Sequence, residues 1–240
     1  MGYFSGQPPR RPFRLFGPAH LGAAAAVGAG LGALTRVRGL GPTGRRRVRR
    51  GLVAGLWGQE VFYHLWRAAT RTWTPTEMLP VHVCSVAVWG GGVALLTGHR
   101  TLRDYAYYIG VMGSAMAILT PDLGRYGPGS VRFVQFFVSH GLLGAVPVYL
   151  LAEGYRPTWR GAGKTMVVLA LQGVAAHRIN RAVGSNYLFV SRKPEFATAL
   201  DALPPWPRYL PLMYGAAAAG VALLTLPFAG IHPRRPAASP

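Results

Sequence analysis

The chain has 240 residues, of which 50% are hydrophobic and 14% are charged, and its formal net charge is +19. Soluble globular domains carry about 25% charged residues, so this composition excludes an ordinary soluble enzyme. The seven acidic residues are too few for salt-bridged helix surfaces or an acidic tail, and the single cysteine, Cys84, excludes an intrachain disulfide.

A membrane-spanning helix needs about 20 mainly apolar residues, and several segments of the chain meet that requirement. They lie near residues 17–35, 51–69, 78–97, 102–121, 131–153, 163–183 and 207–230. We therefore expect an all-α, polytopic membrane bundle of about seven transmembrane helices, which forms a single domain over residues 17–230. Residues 1–16 are expected to form a flexible basic tail, and residues 231–240 a flexible C-terminal tail.

A dense arginine cluster, Arg36–Arg50, separates the first two predicted spans. A basic segment beside an apolar one is explained by contact with anionic lipid headgroups, which we favour over nucleic-acid binding. Because positive loops stay on the cytoplasmic side, this loop predicts an N-terminus outside the cell. The chain is thus expected to be a multi-pass protein of the bacterial cytoplasmic membrane, and its oligomeric state stays open.

Polar residues inside the predicted spans fall at a similar depth. Ionisable groups are costly in a bilayer, so each is by default a candidate for function. Because successive spans cross the membrane in opposite directions, spans two, four and six end on the membrane face where spans three and five begin. The residues that share this depth are Glu60, His64, His82, Cys84, Asp122, His140, His177 and Asn180. A polar cavity near one leaflet is the expected result.

Two further features belong to this face. Glu60 and His64 stand four residues apart, which places both on one helical stripe, where a carboxylate orients an imidazole. The loop from residue 184 to 207 carries Asn186, Tyr187 and Lys193, which we expect to bind substrate or stabilise an oxyanion.

Cys84 has two interpretations. A lone cysteine in an apolar helix is most often a small packing residue. His82, two residues away, faces a different side of a regular helix, whereas His140 arrives from span five at a comparable depth. A cysteine and a histidine brought together in space are suited to acyl transfer through a thioester. Spacing alone leaves both interpretations open.

Four motifs in order carry a resemblance to a known family. They are Leu-Pro-Val-His-Val-Cys-Ser at 79–85, Thr-Pro-Asp-Leu at 120–123, Phe-Phe-Val-Ser-His at 136–140, and Ile-Asn at 179–180 with Gly-Ser-Asn-Tyr at 184–187. With Lys-Pro at 193–194 and Pro-Trp-Pro at 205–207, the chain resembles the YwaF-like, transmembrane protein 164 family over roughly residues 50–230.

The resemblance implies a polytopic helical protein and a cysteine-dependent acyltransferase that moves fatty acyl chains between phospholipids. By motif, the nucleophile of that family matches Cys84 and its histidine matches His140, which we take as the base. The family is similar in outline to the androgen-induced membrane hydrolases, which cleave lipid esters with a threonine and a histidine.

Three hypotheses follow. The leading one is a transacylase or lipid-ester hydrolase that acts on glycerophospholipids through Cys84 and His140, with no cofactor and no metal. The second is a metal-dependent membrane hydrolase, since His64, His82, His140 and His177 with Glu60 or Asp122 supply enough ligands, although no HExxH spacing is present. The third is a non-catalytic lipid-binding transporter or scaffold, in which Cys84 only packs.

Overall fold

The computed structural model describes residues 2–194 and 199–230, and in these residues it contains seven α-helices and no strand. The helices are α1 (Pro18–Leu34), α2 (Pro42–Ala69), α3 (Val83–Thr97), α4 (Arg100–Leu119), α5 (Val131–Ala152), α6 (Trp159–Val183) and α7 (Tyr209–Thr225). Short 3₁₀ turns occupy Thr35–Gly39, Tyr187–Phe189, Ala199–Ala202 and Leu226–Phe228. The all-α prediction is confirmed, and each expected span corresponds to one helix.

Two helix starts differ from the sequence expectation. The arginine cluster is not a loop, because Thr35–Gly39 forms a 3₁₀ turn and α2 begins at Pro42, a residue whose fixed φ suits the first helical position. In contrast, α3 begins at Val83, later than residue 78. His82, its N-cap, is extended, since the chain is still turning after Pro80.

Side-chain caps and glycines set other helix ends. The Ser130 hydroxyl accepts a hydrogen bond from the Phe133 amide at the start of α5, and the Thr158 hydroxyl accepts one from the Gly161 amide at the start of α6. Helices α3 and α6 end at Gly98 and Gly184, whose φ values of 72° and 73° lie in the left-handed region that glycine adopts without strain.

Helices α4 and α5 form the centre of the bundle. Helix α4 packs against α3, α5 and α6, and α5 packs against α1, α2 and α3. The approach of α4 to α5 depends on Gly110, because a Cβ there would lie 2.8 Å from Pro147 Cδ and 3.0 Å from the Leu143 carbonyl oxygen. Fully buried Leu143 and Val146 fill the contact.

Asp104 is a buried carboxylate near the N-terminal end of α4. Its side chain is 1% exposed, accepts a hydrogen bond of 2.7 Å from the Tyr155 hydroxyl, and lies 3.4 Å from Arg100 Nε. Since a buried carboxylate needs such partners, this cluster fixes the loop between α5 and α6 onto α4.

The exterior of the bundle is apolar. Large hydrophobic side chains such as Leu65, Met116, Leu171 and Leu223 are more than half exposed. Two helices are long and apolar enough to cross a membrane, Val131–Ala152 and Tyr209–Phe228, and α3 is a shorter apolar helix. The first is largely buried in protein and the second is largely exposed. These features support membrane association, and the full seven-span arrangement goes beyond them.

The N-terminal segment, expected to be a flexible tail, contacts one end of the bundle. The Phe4 carbonyl accepts a hydrogen bond from Trp66 Nε1, the Gly6 carbonyl accepts one from the Tyr126 hydroxyl, and the Tyr3 carbonyl accepts one from the Val131 amide. The predicted C-terminal tail, residues 231–240, lies outside the described residues.

Substitution of Gly110 by alanine should lower the stability of the bundle. The added methyl group would meet Pro147 and a backbone oxygen that cannot move aside, so we expect a loss of about 1–3 kcal/mol in the free energy of unfolding. Gly90→Ala is the matched control, because its nearest neighbour, Leu102 Cδ2, lies 3.9 Å away. Denaturant unfolding in detergent measures both, and equal midpoints would contradict the assignment of Gly110 as the close contact.

Candidate functional site

Cys84 lies in the first turn of α3, against α4. Its Sγ is 3.1 Å from the position that a Cβ on Gly113 would take, so the absence of a side chain at Gly113 makes room for the thiol. The side chain is partly buried and packs against the main apolar core. Among the described residues, the thiol has no hydrogen-bond partner, and no hydrogen bond joins it to His140.

His140 lies in α5, and its backbone adjoins the turn of α4 that contacts Cys84. The Ser114 hydroxyl donates a 2.7 Å hydrogen bond to the His140 carbonyl oxygen. The His140 Nδ1 lies 2.9 Å from the Phe136 carbonyl oxygen, which can only accept, so Nδ1 carries the proton. In the neutral ring Nε2 is then unprotonated, which is the form that a general base requires.

Glu60 and His64 meet on α2 as their spacing predicts. His64 Nε2 lies 3.8 Å from Glu60 Oε1, while His64 Nδ1 accepts a 3.0 Å hydrogen bond from Trp73 Nε1. The indole N–H therefore places the imidazole proton on Nε2, which faces the carboxylate. Glu60 is 6% exposed, and α2, which carries it, packs against α3, which carries Cys84. The structure thus brings Glu60, His64 and Cys84 to one end of the bundle.

Sequence reasoning missed a polar chain between α2 and α5. Gln135 Nε2 donates to Gln59 Oε1 at 2.8 Å, Gln59 Nε2 lies 3.3 Å from Glu60 Oε2, and Arg132 donates to Gln135 Oε1. Buried amides in apolar helices were the available signal, since such groups need partners in a membrane as ionisable groups do. These hydrogen-bonded side chains hold the Glu60 carboxylate in place from the α5 side.

Arg132 also links the loop after α4 to this group. Its guanidinium lies 4.5 Å from the centre of the Tyr63 ring, and its charge acts on Glu60, Asp122 and His140. Burial raises the pKa of the Asp122 carboxyl above its ordinary value, and the positive charge of Arg132 opposes that rise. Asp122 is therefore a neighbour of the group through Arg132.

A second polar group surrounds Asn180 at the end of α6. The side-chain oxygen of Asn180, Oδ1, accepts hydrogen bonds from the Ser185 hydroxyl and the backbone amide of Tyr187, both at 2.7 Å. The side-chain nitrogen, Nδ2, donates to the backbone carbonyl of Tyr187 and to the Ser191 hydroxyl, both at 3.0 Å. His177 Nδ1 lies 3.2 Å from the same hydroxyl. Asn180 therefore fixes the loop that follows α6.

The polar side chains of the loop after α6 form hydrogen bonds within that loop or with neighbouring segments. Asn186 bonds to the backbone of Arg192, Lys193 Nζ donates to the Leu203 carbonyl, and the Tyr187 hydroxyl donates to the Pro75 carbonyl while it accepts from the Leu79 amide. The assignment of Asn186, Tyr187 and Lys193 to substrate or oxyanion binding stays a prediction.

The segment at the start of α3 contacts the loop after α6. The His82 ring centre lies 5.0 Å from that of Tyr187. The Tyr105 hydroxyl donates to Gln172 Oε1 at 2.6 Å, and Gln172 Nε2 donates to the Val81 carbonyl at 2.8 Å. The segment before Cys84 is thus held by α4, α6 and the following loop.

A groove of about 490 Å³ lies beside the second group, between α6, α7 and the loop. Its walls are mainly apolar, and His177 and Arg178 supply its polar edge next to Trp206 and Tyr214.

The predicted metal ligands are not gathered. Within residues 2–194 and 199–230, no three side chains of histidine, cysteine, aspartate or glutamate are arranged to hold a metal ion. His64, His82, His140 and His177 occupy separate hydrogen-bonded or aromatic surroundings. The metal-dependent alternative therefore has no ligand set in the described part of the chain.

Comparison with known proteins gives one family and one relative. The model of the TMEM164 family matches residues 15–225. An uncharacterized protein of Treponema pallidum (strain Nichols) is 31% identical over 160 residues, which cover 66% of this chain and 64% of that protein. The match thus spans less than two thirds of the relative's length. No solved structure matches the chain.

Replacement of Asn180 by leucine should release the loop after α6. The change leaves the Tyr187 amide and the Ser185 hydroxyl without their partner, at a cost of about 1–3 kcal/mol for each buried group left unpaired. Hydrogen exchange of residues 185–191 should rise, while exchange in α4 should not change. The exposed neighbour Arg181 provides the control, as Arg181→Gln, and equal exchange in both variants would refute the role of Asn180.

Proposed function

Since the chain belongs to the TMEM164 family, we propose that it is an integral membrane acyltransferase or lipid-ester hydrolase that acts on glycerophospholipid acyl chains. Cys84 is the proposed nucleophile and His140 the proposed general base. The setting is a multi-pass bundle in the bacterial cytoplasmic membrane. The apolar exterior and the two membrane-length helices support this setting.

One observation supports the site above the others. Consecutive residues of α4 contact the two groups, since Gly113 adjoins Cys84 Sγ and the Ser114 hydroxyl binds the His140 backbone. The Cys84 thiol and the backbone of His140 therefore adjoin the same turn of α4, on the two helices that flank it. The proton on His140 Nδ1 is held by Phe136, which leaves Nε2 to receive another proton.

The proposed reaction has two steps. Cys84 Sγ attacks the ester carbonyl carbon, so a carbon–sulfur bond forms and the bond to the glycerol oxygen breaks. His140 Nε2 takes the thiol proton and returns it to that oxygen, which releases a lysophospholipid. A hydroxyl of a second lysophospholipid then attacks the thioester, its proton passes through Nε2 to the sulfur, and the acyl chain is transferred. With water as the acceptor, the product is a free fatty acid.

The reaction requires a rearrangement at Cys84. The thiol packs against the apolar core and makes no hydrogen bond to His140 in the described structure, so it must turn toward the imidazole when substrate enters. We propose that Glu60 with His64 orients the polar side of the site, and that Asn186, Tyr187 and Lys193 bind the headgroup or the oxyanion after the loop moves. The groove between α6 and α7 is proposed to hold the acyl chain.

A non-catalytic lipid-binding protein is the second candidate. The packing of Cys84 in the core without a polar partner favours it, because a buried cysteine commonly serves as a small apolar residue. The groove of about 490 Å³ would then bind lipid without chemistry.

A thioester on Cys84 distinguishes the two candidates. The protein is reconstituted with phosphatidylcholine that carries isotope-labelled acyl chains and with unlabelled lysophospholipid. A hydroxylamine-sensitive acyl group should then accumulate on Cys84, and peptide mass spectrometry detects it. Cys84→Ala should abolish both the adduct and label transfer. The adjacent Ser85→Ala variant is the control and should retain both.

His140→Gln should slow thioester formation by about 10²–10⁴-fold, because general base catalysis is lost while the glutamine keeps a similar volume. His99→Gln, an exposed change at the opposite end of α3, should leave the rate unchanged. Label transfer by Cys84→Ala at the wild-type rate would overturn the covalent mechanism. Lipid binding without any transfer by the wild-type protein would establish the non-catalytic candidate instead.

A further inference from the structure

A second pocket lies at the other end of the bundle from Cys84. It has a volume of about 670 Å³ and is formed where the start of α2 meets the end of α5. Its charged and polar lining consists of Arg45, Arg46, Arg49, Tyr149 and Glu153. We call it the basic pocket.

Arg45 holds the walls of the basic pocket. Its Nε donates to the Leu40 carbonyl at 2.8 Å, its Nη2 donates to the Arg38 carbonyl at 2.9 Å, and its Nη1 lies 3.5 Å from Glu153 Oε1. The Tyr149 hydroxyl donates to the Arg45 carbonyl at 3.2 Å. Arg45 is therefore committed to the protein, and it balances the one carboxylate of the pocket.

Arg46 and Arg49 remain as cations without such commitments. Within the described part of the chain, neither donates a hydrogen bond to protein, and the Nε of Arg49 is buried without an acceptor. A buried donor without a protein acceptor is rare and requires an acceptor from water, an ion or a ligand. Arg49, which lines the pocket, thus has a donor available to an anion.

The start of α2 adds to the same preference. Its N-cap, Gly41, has no side chain to accept from the first amides, and the first turn contains no acidic residue. An uncapped helix start carries a partial positive charge that favours an anion. The start of α2, Arg46 and Arg49 all line this pocket, and all three favour an anion there.

We propose that the basic pocket binds a phosphate group, either that of an anionic lipid headgroup or free inorganic phosphate. Guanidinium groups and helix amides match phosphate oxygens in geometry and charge. The apolar side chains of Leu40 and Pro42 line the same pocket, beside which the glycerol part of a lipid would lie. The site is independent of Cys84, since it lies at the far end of α2 and α5.

Two matched charge deletions test the proposal. Arg46→Gln with Arg49→Gln removes two cations of the pocket, whereas Arg47→Gln with Arg50→Gln removes two cations of the same cluster that do not line it. The full chain is purified in neutral detergent and titrated with phosphatidylglycerol, with phosphatidylcholine and with inorganic phosphate, and native mass spectrometry and thermal shift report binding.

The pocket variant should bind its ligand at least roughly tenfold more weakly, since each arginine near an anionic lipid contributes about fivefold. The control variant should bind as the wild type does. Saturable binding of phosphatidylglycerol alone assigns the site to a lipid headgroup, and saturable binding of inorganic phosphate alone assigns it to the free ion. Arg46→Gln by itself provides a milder variant at an exposed position, expected to weaken binding about fivefold.

Equal weakening in both double variants would show a diffuse basic surface and overturn the pocket. Absence of binding by either phosphate source, or binding of phosphatidylcholine as strong as that of phosphatidylglycerol, would overturn it as well. None of these measurements depends on acyl transfer, so failure here leaves the proposed reaction untouched, and the reverse also holds.

Discussion

The close approach of α4 to α3 and α5 is the constraint on which the rest of the structure depends. Three small positions permit it: Gly110 faces Pro147, Gly113 faces Cys84, and Gly144 faces the Ser114 hydroxyl. Apolar packing inside a bilayer gains little from expelling water, so helix contact there relies on such close fits and on hydrogen bonds between helices. The spacing of Gly110, Gly113 and Ser114 along α4 therefore positions α3 and α5 at once.

The position of α4 between α3 and α5 determines which residues come together at the polar end of the bundle. Cys84 on α3 and the backbone of His140 on α5 adjoin the same turn of α4, while α2 is joined to α5 by the hydrogen bond between Gln59 and Gln135. The loop after α6 approaches from the other side, held by Asn180. The charged end formed by α2 and α5 is separate, so the molecule has two polar ends of different chemistry joined by an apolar middle.

The approximate positions of the helices could be predicted by matching apolar segments to the length of a spanning helix, although only Val131–Ala152 and Tyr209–Phe228 are long and apolar enough to cross a membrane among the described residues. The start of α2 could not be read by that rule, since Arg45–Arg50 lacks apolar character although arginine is a good helix former. The Glu60–His64 contact follows from spacing within one helix. The partners of Gln135, Arg132 and Asn180 could not be derived, because they depend on which helix faces which and on how a loop folds back.

Helix α7 has few protein neighbours and contacts mainly α6, yet it clamps the loop beside the candidate site. Trp206 donates to the Val190 carbonyl at 2.9 Å, and the Tyr209 hydroxyl donates to the Phe189 carbonyl. Trp206, just before α7, and Tyr209, at its start, therefore hold that loop in place. A harsh detergent should detach α7 before the other helices and loosen the contact between Tyr187 and His82. Gentle extraction that retains native lipid is therefore the condition under which the purified protein keeps this arrangement.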